Sequence, residues 1–207
     1  MARYELLIHA RRAVVDGRIQ QAAVAVDGGV ISAVRTGSEA RDIGLAGDHT
    51  IDLGDDVVLM PGLVDPHVST EDVAVGTRSA ALGGITSVVD YGTNGDPSAT
   101  GPEQVDRWRE GVAGESFVDV GLWGAAVPGN LGQLGALLDR GVFGISAVAE
   151  GKGVAGTPTL TSDDLVAAAE EVAGRGGLLA ADAGVEDLPA LLDVCRRTGG
   201  RLHLRAV

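Results

Sequence analysis

Apolar residues fall along this chain in two rhythms, and the change comes near Pro61. Before it, YELLIHARRAVV, GRIQQAAVAVDGGVISAVR and HTIDLGDDVVLM alternate apolar and polar positions between Asp-Gly and Gly-Asp breaks. That alternation predicts short strands of a half-buried antiparallel sheet. After Pro61 six near-continuous apolar runs recur: GLVDPHV, GITSVVDY, SFVDVGLW, VFGISAV, GLLAADA and RLHLRAV. Helical spacing fills the intervals, in VAVGTRSAAL, GPEQVDRWREGVA, LGQLGALLDRG, SDDLVAAAEEVAGRG and DLPALLDVCRRTGG. Thr161 and Asp164, three apart, form a capping-box-like start, and Gly-Gly or Arg-Gly closes several of these stretches. Apolar strands alternating with helices predict an α/β fold with a parallel sheet. The expected division is a β-rich segment over 1–56 and an α/β segment over 57–207.

A doubly wound sheet and a β/α barrel both begin in this way. The dinucleotide-binding version needs G-x-G-x-x-G after its first strand, and the first strand here ends in DPHVST. AEGKGVAG around Lys152 has glycines and a lysine, but Gly153 stands where Ser or Thr would bind magnesium. The spacing of the leading glycine is wrong as well, so a phosphate loop is set aside.

Composition narrows the partners. Hydrophobic residues make up 45% of 207, which supports a substantial core, while aromatics are only 3%, so Val, Leu, Ile and Ala must fill it. Net charge is −13 and Lys152 is the only lysine, with arginines scattered along the chain. Such a surface repels nucleic acid and anionic membrane. MARYELLIHARRAV has no apolar leader, and no apolar run approaches the ~20 residues of a membrane span, so the expected location is cytoplasmic. Cys195 is the only cysteine, which excludes an intrachain disulfide and a cysteine zinc cluster. Helical spacing sets it beside Leu191, as a buried structural thiol.

PGLVDPHV, GTRSAALGGITSVVDYGTN, VDVGLWGAAVPGN, GVFGISAV, GGLLAADA and RLHLRAV follow one another without a long gap. Together they resemble the cyclic amidohydrolases of the amidohydrolase superfamily, the allantoinase, hydantoinase and dihydroorotase group, over roughly residues 1–207. The resemblance implies a small β-sandwich beside a (β/α)₈ barrel with a two-metal site at the C-terminal strand ends. There a bridging hydroxide attacks a ring amide carbonyl. It further implies an H-x-H on the first strand, a carboxylated lysine on the fourth, histidines on the fifth and sixth, and a proton-moving aspartate after the eighth.

This chain departs from that pattern. His67 matches the first histidine, but Ser69 stands at the second and Ser146 at the lysine. Asp182 falls at the strand-five histidine and Ala206 at the strand-six one, while His203 lies off the ligand position. A hydroxyl is a poor ligand beside imidazole, and serine cannot be carboxylated. Only VSTEDVAV separates His67 from Gly76, a segment about half the length usual in the family. The turn Asp90-Tyr91-Gly92-Thr93-Asn94 keeps Asn94, which the resemblance makes a candidate to bind a ring amide. His9, His49 and His203 read as structural or exposed.

The expected fold is a partial TIM-type barrel of about six strands with a small N-terminal β-sandwich portion. The expected function is that of a non-catalytic homologue, a pseudoenzyme acting through binding or assembly, with no cofactor and His67 a vestigial metal position. The alternative is a metal-dependent hydrolase of cyclic amide bonds (C–N, non-peptide) built on His67 and Asp182. It would use zinc or another divalent ion, with Glu71 and Asp72 as possible further carboxylates. Val207 precedes the last two strands of the family pattern. Six strands of an eight-stranded design leave two edges, and unpaired edges seek other chains. A homo-oligomer or an amidohydrolase-like partner subunit is therefore expected.

Overall fold

The computed structural model describes residues 2–41, 44–93, 96–97, 99–153 and 157–206. The chain divides into two compact units, Met1–Pro61 and Gly62–Val207.

In the first unit β1 (Ala2–Val15), β2 (Arg18–Asp27), β3 (Val30–Thr36) and β4 (Leu45–Leu53) form one sheet in the order β3-β2-β1-β4. Asp16 and Gly17, with φ of 51° and 72°, make the first hairpin turn, a conformation that matches the strand twist. β1–β2 and β2–β3 pair antiparallel, as the alternation predicts, but β4 runs parallel to β1. A parallel partner needs a crossover, and β2, β3 and a 3₁₀ turn at Gly37–Arg41 supply it. The first unit is thus one mixed sheet, where the alternation predicts an antiparallel one.

Leu7, Ala23, Ala25 and Ala40 form one small core cluster of this unit, and Ala10, Ala13 and Ala22 another. Leu59 packs on the second. Its N–H donates to the Arg12 carbonyl at 2.9 Å, and its carbonyl accepts from Val14 at 2.8 Å. These bonds tie residues 57–61 to the first unit, past the boundary read at residue 56.

The second unit opens with β5 (Leu63–Val68), α1 (Val73–Leu82), β6 (Ile85–Asp90) and a short hairpin of β7 (Gly92–Thr93) and β8 (Asp96–Pro97). It continues through α2 (Pro102–Val112), β9 (Asp119–Leu122), β10 (Gly124–Ala125), α3 (Leu134–Asp139) and β11 (Ile145–Val148). α4 (Ser162–Gly174), β12 (Leu178–Asp182), α5 (Leu188–Thr198) and β13 (Arg201–Ala206) complete it. All five helices of the described residues fall where helical spacing puts them. Thr161 caps α4, accepting from the Asp164 N–H, and Asp72 caps α1, accepting from Val75. Gly199, at φ 71°, ends α5 in the left-handed conformation common at helix C-termini.

The parallel strands run β5-β6-β9 and β10-β11-β12-β13, with only Trp123 between β9 and β10. Trp123 N–H donates to the Asp90 carbonyl and Gly124 N–H to the Gly144 carbonyl, both at 2.9 Å, so the ladder changes partners there. Strand order follows chain order without reversal. A doubly wound sheet reverses at a switch point, so the winding is that of a β/α barrel. Among the described residues β5 and β13 do not pair, leaving an open arc, a partial barrel.

Alternation along the strands divides the core. Leu179 and Ala181 join a large cluster with Leu134, Leu165 and Leu191, where helices cover the sheet. Ala180, between them, joins Val89 and Trp123 on the other face. Gly144 is required by this packing, because a Cβ there would sit 2.6 Å from Trp123 Cζ3 and 2.7 Å from the Leu178 carbonyl. Cys195 is half-buried, and Leu191 and Val194 take the buried positions of α5.

Candidate functional site

The C-terminal ends of these strands surround a cavity of about 280 Å³. His67 and Ser69 enter from β5 and the loop after it, Tyr91 from the turn after β6, Ser146 from β11, and Asp182 from the end of β12. Lys152 reaches the rim from the loop after β11, and Arg205 lines the wall from β13. Four positions singled out in the sequence therefore share one cavity: His67, Ser69, Ser146 and Asp182. Asn94 lies outside the described residues. Asp72 is spent as the α1 cap, and His203 is exposed on β13.

Arg205 was not foreseen, and it dominates the site. Ala181 opposes Leu204 in the β12–β13 ladder, but Asp182 opposes Ala206, so Arg205 is the extra residue of a register shift. A bulge of this kind re-aims a side chain. The guanidinium donates from Nη2 to Asp182 Oδ2 at 2.9 Å, and only 9% of its side chain is exposed. Its Nε is buried without a hydrogen-bond partner among the described residues. Such an orphaned donor costs about 1–3 kcal/mol, more for a charged group. The one sequence signal for this residue is a charge inside the apolar run LHLRAV.

Aromatic side chains are scarce in the chain, yet three of them gather here. Arg205 Cζ sits 4.3 Å over the Tyr91 ring, a cation–π contact. Tyr91 stacks on Trp123 at 4.7 Å and 18°, and Trp123 meets Phe143 edge-on at 5.1 Å. Trp123 Nε1 donates to the Pro66 carbonyl at 2.9 Å, which holds the end of β5 in place. The His67 ring lies 4.4 Å from Tyr91, and its N–H on the main chain donates to Asp65 Oδ1 at 3.1 Å. Burial pushes the Tyr91 hydroxyl up to about 12, although the Arg205 charge pulls the other way. Desolvation against these neighbours, aided by the Arg205 charge, holds the His67 imidazole below 6.5, with Asp182 and Asp65 opposing.

The turn after β6 is ordered by Asp90, which is buried. Its Oδ1 accepts from Gly92 N–H and its Oδ2 from Thr70 Oγ1, each at 2.9 Å. Ser69 Oγ donates to the Gly92 carbonyl, so that hydroxyl is already committed.

The metal pair that the family resemblance implies does not fit these residues. Among the described residues no group of three His, Cys, Asp or Glu side chains converges to hold an ion. Asp182 is neutralised by Arg205, Ser69 is bonded to the backbone, and Ser146 has no amine to carry a bridging carboxylate. A divalent ion taken by Asp182 would also face the guanidinium. At 4 Å and an effective dielectric constant of about 20, that repulsion is about 4 kcal/mol per unit of charge.

No family model matches the chain. It is 38% identical to the allantoinase of Streptomyces avermitilis over 209 residues, covering 97% of this chain and 46% of that protein. It is 37% identical to a probable allantoinase of Oryza sativa subsp. japonica over 151 residues, covering 68% of this chain and 29% of that one. The chain thus spans about half the length, or less, of the curated relatives it matches. Among solved structures, the L-hydantoinase (dihydropyrimidinase) of Arthrobacter aurescens superposes with a TM-score of 0.80 at 20% identity, over 97% of this chain and 52% of that one. A D-hydantoinase superposes with a TM-score of 0.73 at 17% identity.

Proposed function

The chain is a homologue of the allantoinases, cyclic amidohydrolases of the amidohydrolase superfamily, and on that premise we propose that it is a non-hydrolytic member. In this reading it works by binding and assembly, and without a metal. One observation supports the proposal: Asp182, at a position where the resemblance implies a metal-binding histidine, is paired with the Arg205 guanidinium. The guanidinium supplies the positive charge, but it cannot lower the pKa of a water as a bound metal does.

A second reading keeps hydrolysis of cyclic amide C–N bonds, with zinc or another divalent ion on His67 and Asp182. What favours it is that both side chains line the same cavity. One experiment separates the two. The chain is purified without chelators, its zinc, manganese, iron and cobalt are measured by mass spectrometry, and allantoin and hydantoin are offered as substrates. The proposal expects no stoichiometric ion and no turnover above background. An ion lost in His67→Ala, or turnover lost in Asp182→Asn, refutes it.

Assembly belongs to the same reading. β5 is an edge of the parallel arc, with Leu63 and Val64 exposed at 46% and 56%, and exposed apolar edges recruit another chain. A second copy or an amidohydrolase-like subunit is the proposed occupant. Sedimentation velocity tests it, and a monomer across micromolar concentrations would remove this part. No helix of the described residues is long and apolar enough to cross a membrane.

A further inference from the structure

We infer that the cavity binds a small monocarboxylate with a short apolar body, held by the Arg205 guanidinium with Lys152 at the mouth. This rests on the metal-free reading above.

The guanidinium carries the argument. Arginine grips a carboxylate through two parallel N–H bonds, commonly along its Nε–Nη2 edge. Here Nη2 donates to Asp182, while Nε on the same edge has no partner among the described residues and the side chain is nine-tenths buried in the cavity wall. The fork is half used. A ligand oxygen that draws the guanidinium round would complete it.

Charge selects the ligand's sign. Arg205 and Lys152 face one carboxylate, Asp182, across the cavity, leaving one positive charge on a chain whose net charge is −13. Lys152 makes no ion pair among the described residues. A monoanion balances that excess. A phosphate dianion would leave negative charge uncompensated beside Asp182.

Size and lining select the rest. Ala125, Ala147, Val148 and Pro158 make the remaining wall largely apolar. A volume of about 280 Å³ lies at or below the lower limit for drug-sized ligands, roughly 300 Å³. The enclosed part of the ligand is therefore matched by a short aliphatic group or a single ring.

Calorimetric titration of the purified full chain with isobutyrate and benzoate, against isobutyramide and benzamide, tests the inference. Each acid should bind about tenfold or more tightly than its neutral isostere, as expected for a charge-assisted fork. Arg205→Met should abolish that difference. Because Arg205→Met can also disturb folding, Lys152→Gln, at the exposed rim, is the second variant. It should weaken the acids roughly threefold and leave the amides unchanged, the scale of a solvent-exposed charge. Equal affinity for acid and amide, undiminished acid binding in Lys152→Gln, or no binding at millimolar acid would overturn the inference. Metal content is measured on the same sample. Absence of metal together with absence of acid binding defeats this inference alone, whereas a stoichiometric metal defeats the reading on which it rests.

Discussion

Replacing Asp182 by alanine removes the anionic partner that Arg205 has among the described residues, and leaves its guanidinium inside the cavity wall. Breaking a buried pair from one side costs about 3–5 kcal/mol, because the remaining charge is desolvated and uncompensated. The Arg205 side chain is 9% exposed, but that of Asp182 is 24% exposed and opens on the cavity, so water can partly take its place. That exposure reduces the expected loss for Asp182→Ala to about 2–3 kcal/mol. Arg205→Met in the same chain removes the stranded charge and keeps much of the side-chain volume. The double variant should therefore regain about 1.5–2 kcal/mol relative to Asp182→Ala. Both tryptophans, Trp108 and Trp123, lie in the second unit, so urea unfolding followed by tryptophan fluorescence reports on the unit that carries the pair. For a chain of this size the single variant should also lower Tm by about 4–12 °C, at about 2–4 °C per kcal/mol. A coupling energy below about 0.5 kcal/mol, the value of an ordinary exposed pair, would refute the reasoning. The guanidinium would then not be held in place of a metal.

The His67 ring should titrate below 6.5 by NMR, and its midpoint should rise in Arg205→Met, because desolvation and the Arg205 charge both disfavour the imidazolium. The folded-state value is depressed, so the unfolded chain binds more protons, and this contribution to stability is present above 6.5 and lost as pH falls toward the folded value. An unchanged midpoint in Arg205→Met would remove Arg205 as a cause. Thr161→Ala deletes the α4 cap and should cost about 1 kcal/mol in urea unfolding, with Thr161→Ser recovering most of it. Gly144→Ala puts a Cβ 2.6 Å from Trp123 Cζ3 and should cost about 1–3 kcal/mol with a shift in tryptophan emission; a neutral result would show that Trp123 can move.

The order of strands and helices in the second unit was legible because each element states its period locally. Continuous apolar runs such as GLLAADA mark strands buried on both faces, and Thr161 with Asp164 marks where one helix starts, whereas the cap at Asp72 emerged only in the structure. The convergence of His67, Ser69, Ser146 and Asp182 followed from the resemblance, since barrel strands end on one rim. Read through the same resemblance, residue identity also set the expectation that the family's metal ligands are not present as a set. Three features depended on contacts between residues far apart in the chain. β4 pairs parallel to β1 because β2 and β3 intervene, which alternation within β4 cannot express. Trp123, Tyr91 and Phe143 stack only once β6, β9 and β11 lie side by side. Arg205 enters the cavity at a register shift between β12 and β13, and a register belongs to a pair of strands rather than to either sequence. Its ion pair with Asp182 therefore exists only in the folded chain.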